Sequence, residues 1–199
     1  MSGQITLRRR EVLGAAFESR GDALVISGLG SSTWDLASLG DRDDNFYLWG
    51  AMGNAAMIGL GLANAQPNKR VTVLTGDGEM LMGLTALSTI GARRPDNLSI
   101  CVLDNERYTE TGRQPTATGM GTDLAAVAAA CGFPKTATIR TEEEAAQLGP
   151  LLFGTPGPVM AVVKVIDEAL PMVVPPRDGG YLKTRFRSRL LGVQAATMP

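Results

Sequence analysis

Apolar residues recur along this chain with two periods, and the periods alternate. Residues 6–20 place Leu7, Val12, Leu13, Ala16 and Phe17 on one helical stripe, which Gly21 closes. Residues 23–27 then form a short apolar run, the mark of a buried strand. The same succession repeats: a helix at 33–39, a strand at 46–49, a small-residue helix at 54–63 and a strand at 70–75. A helix at 79–92 carries Met80, Leu81, Leu84, Leu87 and Ile90, and a strand follows at 98–103. Beyond a polar stretch at 106–122 the pattern predicts a helix at 124–130 and a strand at 136–139. A helix over 141–153 opens with the capping pair Thr141 and Glu144, and a last core strand spans 158–166. From Pro171 onward the chain is proline-rich, then basic and helical over 181–191.

Strands that alternate with helices predict an α/β fold, a doubly wound, mostly parallel sheet with helices on both faces. Residues 1–170 form the predicted domain, and 171–199 a tail suited to subunit contact. In such sheets ligands sit beyond the carboxyl ends of the strands. Three glycine-rich turns fall on that edge, at 28–32, 50–53 and 76–78. Asn105 and the long loop at 106–122 fall there as well, and loops of that length are often functional.

Composition narrows the chemistry. The chain has 199 residues with a net charge of -1, so no global field points to nucleic acid or a membrane. Two basic clusters, Arg8-Arg9-Arg10 and the stretch from Arg177 to Arg189, read as solvated helix faces or subunit contacts. The two cysteines, Cys101 and Cys131, lie in apolar runs and read as buried free thiols in a reducing, cytoplasmic setting. The N-terminus shows no signal-peptide pattern, no apolar run is long enough to span a bilayer, and the sequon at Asn97 reads as ordinary sequence. There is no histidine at all, which removes histidine triads, dyads and histidine metal sites from this chain.

Asp77 follows a buried strand between Gly76 and Gly78. A helix starting near Glu79 points its positive end at the same place, which suits a phosphate. A carboxylate beside a phosphate repels it unless a cation lies between them, so Asp77 implies a divalent metal. Asn105 lies one helix and one strand later, with 26 residues between Gly78 and Asn105, and so returns to the same edge. A carboxylate, an amide oxygen, a backbone carbonyl, phosphate oxygens and water would complete the near-octahedral shell of Mg²⁺. Taken singly, Asp77 also fits a helix cap and Asn105 a turn. The turn at 28–32 could pass for a dinucleotide fingerprint, but Thr33 stands where the third glycine belongs; Gly30, Ser31 and Ser32 read as further donors near a diphosphate.

The segment GDGEMLMGLTALSTIGARRPDNLSICVLDN, residues 76–105, resembles the signature of thiamine-diphosphate enzymes, in which GDG is followed about 25 residues later by Asn. The resemblance implies a metal held by Asp77, Asn105 and the carbonyl of Arg107, with Gly76, Gly78, Glu79, Tyr108 and Thr109 beside the cofactor. WGAMG at 49–53 is similar to the family segment that cradles the aminopyrimidine. It implies the carbonyl of Gly50 on the exocyclic amine, Ala51 alongside, and Met52 as the wedge that bends the cofactor. The loop LDNERYTETGRQPT, the segment FYLWGAMGNAAMIGLGLA and the tail around Lys183-Thr184-Arg185-Phe186 resemble the phosphonopyruvate and sulfopyruvate decarboxylase group. One departure is Arg113, which stands where glycine is expected; it reads as a surface arginine or as a contact to an anionic substrate tail.

The resemblance implies thiamine diphosphate and Mg²⁺ as cofactors and a small anionic 2-oxo acid as substrate. In the family the activating glutamate lies in a separate pyrimidine-binding domain. A chain of 199 residues has no room for both domains, so the expectation is a partner alpha subunit that supplies the glutamate, in an α2β2 assembly or a multiple of it. Carboligation, oxidative transfer and a non-catalytic partner-binding subunit are the alternatives.

Overall fold

The computed structural model describes residues 5–196. Six parallel strands form the main sheet: β1 (Leu24–Ser27), β2 (Asn45–Tyr47), β3 (Val71–Gly76), β4 (Leu98–Asp104), β7 (Lys135–Ile139) and β8 (Val159–Lys164), in the order β2-β1-β3-β4-β8-β7. The numbering leaves room for a small antiparallel ribbon, β5 (Arg107–Tyr108) with β6 (Gln114–Pro115). Each core strand alternates its side chains between two apolar clusters. Leu24, Ile26, Val73, Ile100 and Val162 point to one, while Val25, Leu74, Cys101 and Val163 point to the other. The predicted doubly wound α/β fold is the observed one. The order in which successive strands are laid down reverses between β1 and β3, and the crevice at such a switch point is where these folds bind ligands.

Helices α1 (Arg9–Phe17) and α2 (Ser31–Ser38) cover the second cluster. Helices α3 (Ala55–Ala65), α5 (Ala86–Arg93) and α6 (Leu124–Ala130) cover the first. Helix α3 lies close on the sheet because Gly59 has no side chain; a Cβ there would fall 2.4 Å from Val73 Cγ2. Asn97 has a structural task, since its Nδ2 donates to the carbonyls of Ala63, Gln66 and Lys69 and ties the end of α3 to the start of β4.

The structure corrects three of the predicted elements. The helix expected over 79–92 is two helices, α4 (Asp77–Met82) and α5, separated at residues 83–85. Gly83 packs against the 50–53 turn so closely that a Cβ would lie 2.0 Å from the Gly53 carbonyl oxygen, and the helix yields to that contact. The helix expected over 141–153 forms its capping box at Thr141 and Glu144, but α7 (Glu142–Ala145) is short. Pro150, which has no N–H to donate, redirects the chain into a π-helical turn, Pro150–Gly154. The stretch at 106–122 is not structureless; it holds the β5–β6 ribbon and short 3-10 turns at Thr109–Thr111 and Ala117–Met120. Cys101 is buried as expected, but Cys131 is only half-buried. Burial pushes the Cys101 thiol up to about 12, which leaves it inert.

After β8 the chain runs through Pro171–Pro176 into α8 (Gly179–Leu191), with Asp178 capping the helix. Leu182 and Phe186 are buried, and the Phe186 ring packs on Phe46 at 5.5 Å. Arg185 pairs with Asp41, and the Trp49 indole donates to the Pro176 carbonyl. Met172, Val173 and Val174 remain exposed. Among the described residues no helix is long and apolar enough to cross a membrane.

The contact between Gly53 and Gly83 yields a test. Gly83→Ala is expected to lower stability by about 1–3 kcal/mol, because the two backbones must separate to admit a methyl group. Urea unfolding measures it, and an unchanged midpoint would show that the contact can relax without cost.

Candidate cofactor site

The three glycine-rich turns and the start of the 106–122 segment converge at the carboxyl edge of β1, β3 and β4. The first turn needs glycine at position 30, where φ is +82° at the N-cap of α2. Thr33, which breaks the dinucleotide pattern, donates from Oγ1 to the Gly28 carbonyl at 2.6 Å and lies 2.6 Å from Ser27 Oγ. Ser32 also donates back to Gly28, at 3.3 Å. These hydroxyls hold the turn closed and leave the Ser31 side chain at the cavity wall.

Glu79 lies where the three turns meet. Its carboxylate is buried and accepts from Thr75 Oγ1 at 2.9 Å. Burial raises its pKa; the Thr75 hydroxyl and the surrounding amides of Gly53, Leu29 and Ala55 act in the opposite sense, although none of those amides meets Oε1 in hydrogen-bond geometry. A Cβ at Gly28 would fall 1.6 Å from Glu79 Oε2, so glycine at 28 is the condition for a glutamate at 79. Gly78 is explained in the same way, since a Cβ there would lie 2.5 Å from the Tyr108 ring.

Asp77 is the first residue of α4 and is 2% exposed. Its Oδ2 accepts from Thr116 Oγ1 at 2.5 Å and lies 3.2 Å from Thr118 Oγ1, which leaves Oδ1 without a side-chain partner. Thr118 also donates to Asp104 Oδ1 at 2.8 Å. Lys164 then bridges Asp104 Oδ2 at 2.8 Å and Glu106 Oε1 at 2.6 Å. Burial pushes the Asp77 carboxyl up to about 6, and the nearby Asp104 charge adds to that. Burial alone would lower the Lys164 ammonium, but its two carboxylate partners outweigh it and hold it above its ordinary value.

Asn105 donates from Nδ2 to Thr109 Oγ1 at 2.9 Å, with Asp167 Oδ1 at 3.5 Å. Its Oδ1 accepts the Arg107 amide at 3.1 Å. That turn, with Glu106 at φ +62°, brings the backbone of Arg107 alongside the Asn105 amide. Arg113 also has a positive φ, +61°, which accounts for the glycine expected there. Its guanidinium pairs with Asp167 at 2.5 Å and pins the ribbon to the segment after β8.

A cavity of about 160 Å³ opens between these elements. Of the residues singled out in the sequence, Ser31, Ser32, Met52, Gly76, Asp77, Gly78, Glu79, Asn105, Arg107, Tyr108 and Thr109 line it, whereas Gly30, Gly50, Ala51 and Arg113 stand outside its wall. Asp77, Asn105 and the Arg107 carbonyl offer hard oxygen donors of the kind Mg²⁺ takes. Sequence reasoning missed Thr116 and Thr118, which hold Asp77, and Arg9, which lines the cavity although 5% exposed. Within the first basic cluster Arg9 alone is buried, while Arg8 remains on the surface. Nothing in the pattern distinguishes Arg9 from its neighbours; only its ion pair with the buried Asp35 draws it inward.

Residues 29–163 match the family of thiamine pyrophosphate enzymes, C-terminal TPP binding domain, and the chain belongs to that family. Its relatives include the phosphonopyruvate decarboxylase of Streptomyces viridochromogenes, 38% identical over 181 residues. That match covers 88% of this chain, and the chain spans 44% of the length of that relative. The sulfopyruvate decarboxylase subunit beta of Methanothermobacter thermautotrophicus is 43% identical over 150 residues, covering 73% of this chain and 80% of the subunit. The subunit beta of Methanocaldococcus jannaschii is 39% identical over 68% of this chain and 72% of its own length. The fold is shared with benzoylformate decarboxylase from Polynucleobacter necessarius, with a TM-score of 0.67 at 22% identity, over 83% of this chain and 34% of that one.

Two outcomes are expected. Lys164→Met leaves Asp104 buried without its cation and should cost about 3–5 kcal/mol, most of it recovered when Asp104→Asn is added. Chemical unfolding of both variants measures this; equal losses would show that the ion pair is not the cause. The second outcome concerns pH. A carboxyl whose folded-state pKa is raised from 3.8 to about 6 contributes stability that is present below pH 3.8 and lost as pH rises through 6. Asp77→Asn should therefore raise the melting temperature of the metal-free chain at pH 7 more than at pH 4. Equal shifts at both pH values would contradict the assignment.

Proposed function

We propose that this chain is the diphosphate-binding subunit of a heteromeric, thiamine-diphosphate-dependent decarboxylase. Its substrate would be a small anionic 2-oxo acid of the phosphonopyruvate or sulfopyruvate type. The observation that carries the reading is the convergence of Asp77, Asn105 and Arg107 with Met52 around one cavity at the switch point of the sheet. When bound, thiamine diphosphate supplies the carbon nucleophile and the electron sink that decarboxylation of a 2-oxo acid requires. Asp77, Asn105 and the Arg107 carbonyl would hold Mg²⁺ against the diphosphate, and the residues from Gly76 to Glu79, with Gly30, Ser31, Ser32, Tyr108 and Thr109, would shape its cradle. Met52 would support the bend of the cofactor, with Gly50 and Ala51 towards the pyrimidine.

The partner chain in this reading covers what the cavity leaves open. A volume of about 160 Å³ falls below the ~300–1,000 Å³ of pockets that enclose a whole small molecule, and so suits one end of the cofactor. Gly50 and Ala51 lie outside the cavity, on the side where a pyrimidine-binding alpha subunit would complete the site and bring its glutamate. The exposed Met172, Val173 and Val174 in the tail offer apolar area for the same contact, in an α2β2 complex or a multiple of it. Two relatives that this chain covers over most of their length are named as beta subunits, which supports a divided enzyme. A cytoplasmic location fits the reduced cysteines.

The test is reconstitution. The chain is combined with the partner it captures and supplied with thiamine diphosphate, Mg²⁺ and either sulfopyruvate or phosphonopyruvate. Carbon dioxide and aldehyde should form without an electron acceptor, and Asp77→Ala should abolish metal-dependent retention of the cofactor. Full activity of the chain alone would refute the divided site, and turnover only with an electron acceptor would refute the decarboxylase.

A further inference from the structure

Arg9 belongs to none of the motifs that mark this site, yet it lies in the cavity wall beside them. It is the first residue of α1, 5% exposed, and its Nε lies 2.7 Å from Asp35 Oδ2 without hydrogen-bond alignment. Its Nε is thus a buried donor without an aligned acceptor. A buried guanidinium with unmatched donors is costly unless something else meets them.

The surroundings say what that is. Asp35 is fully buried and also receives Arg10 Nε at 2.8 Å, so two guanidiniums face one carboxylate and the cluster carries a net positive charge. Asp35 lies one turn into α2, whose first residues, Ser31 and Ser32, line the same cavity. The cluster is thereby joined through α2 to the first turn, which lines the cavity together with Gly76–Gly78 and would meet the diphosphate in the proposed function. A further cation would favour a diphosphate there. A divalent metal less the Asp77 carboxylate leaves one positive charge against a diphosphate that carries more than one negative charge.

Resting on that reading, we infer that Arg9 is a direct ligand of the terminal phosphate of the cofactor, pre-oriented by the buried Asp35. The planar guanidinium suits a phosphate because it can present two parallel N–H donors. Asp35 then acts as a positioning residue, and Arg10, anchored on Asp35 and on the Pro171 carbonyl at 2.6 Å, keeps the cluster cationic.

Calorimetric titration of the reconstituted complex of this chain with its partner, in excess Mg²⁺, with thiamine diphosphate and with thiamine monophosphate, tests this, alongside turnover of the same complex. The wild-type complex should prefer the diphosphate. Arg9→Gln should weaken diphosphate binding about 10- to 100-fold while changing monophosphate binding little. Arg9→Lys, which keeps the charge but loses the fork, should fall between. Because Arg9→Gln leaves the buried Asp35 to Arg10 alone, the double variant Arg9→Gln with Asp35→Asn is measured beside it, and melting temperatures of both variants establish that they are folded. An unchanged ratio of the two affinities in both variants overturns the inference, as does an effect confined to the substrate KM, which would place Arg9 on the substrate instead. A wild-type complex that binds no thiamine diphosphate overturns the underlying reading, and the inference with it.

Discussion

The carboxyl edge of the sheet depends on keeping two acidic side chains, Asp77 and Asp104, buried within one hydrogen-bonded chain. Two threonine hydroxyls join them, and Lys164 neutralises the far end. Without the lysine the edge would hold adjacent carboxylates with no water to solvate them. With it, one acid is satisfied and the other is left under-neutralised, its proton held up to about 6. A site in this state is disposed to accept a cation.

Much of this arrangement was legible in the sequence because it rests on local rules. Strand period, the strand-to-helix turns and the spacing from Gly78 to Asn105 each depend on residues near in sequence, and each led to the observed sheet edge. The errors share a different cause. The break in the 79–92 helix comes from Gly83 meeting Gly53, thirty positions away. Arg9 was read as surface because three consecutive arginines look alike until Asp35 selects among them. Thr116 and Thr118 sat in a polar loop with nothing to mark them as the support of Asp77. Tertiary contacts at long sequence separation decide such features, and no period records them.

The glycines of the signature also acquire a more specific meaning. Gly78 was expected beside the cofactor, and the structure puts the Tyr108 ring in the space its missing side chain leaves. Gly76 and Gly30 shape the edge; Gly28, Gly53, Gly78 and Gly83 make room for protein. The cavity is thus built by packing several turns against each other, and only then becomes a place where phosphate can enter.

The fit of Glu79 beneath Gly28 restricts the order in which this sequence can change. While the glutamate is present, every side chain at position 28 collides with it; once a smaller residue replaces it, position 28 becomes open to substitution, and any side chain fixed there then bars the way back. The two positions can therefore change only in a fixed order, and sequences that lose the glutamate also lose its bond to Thr75.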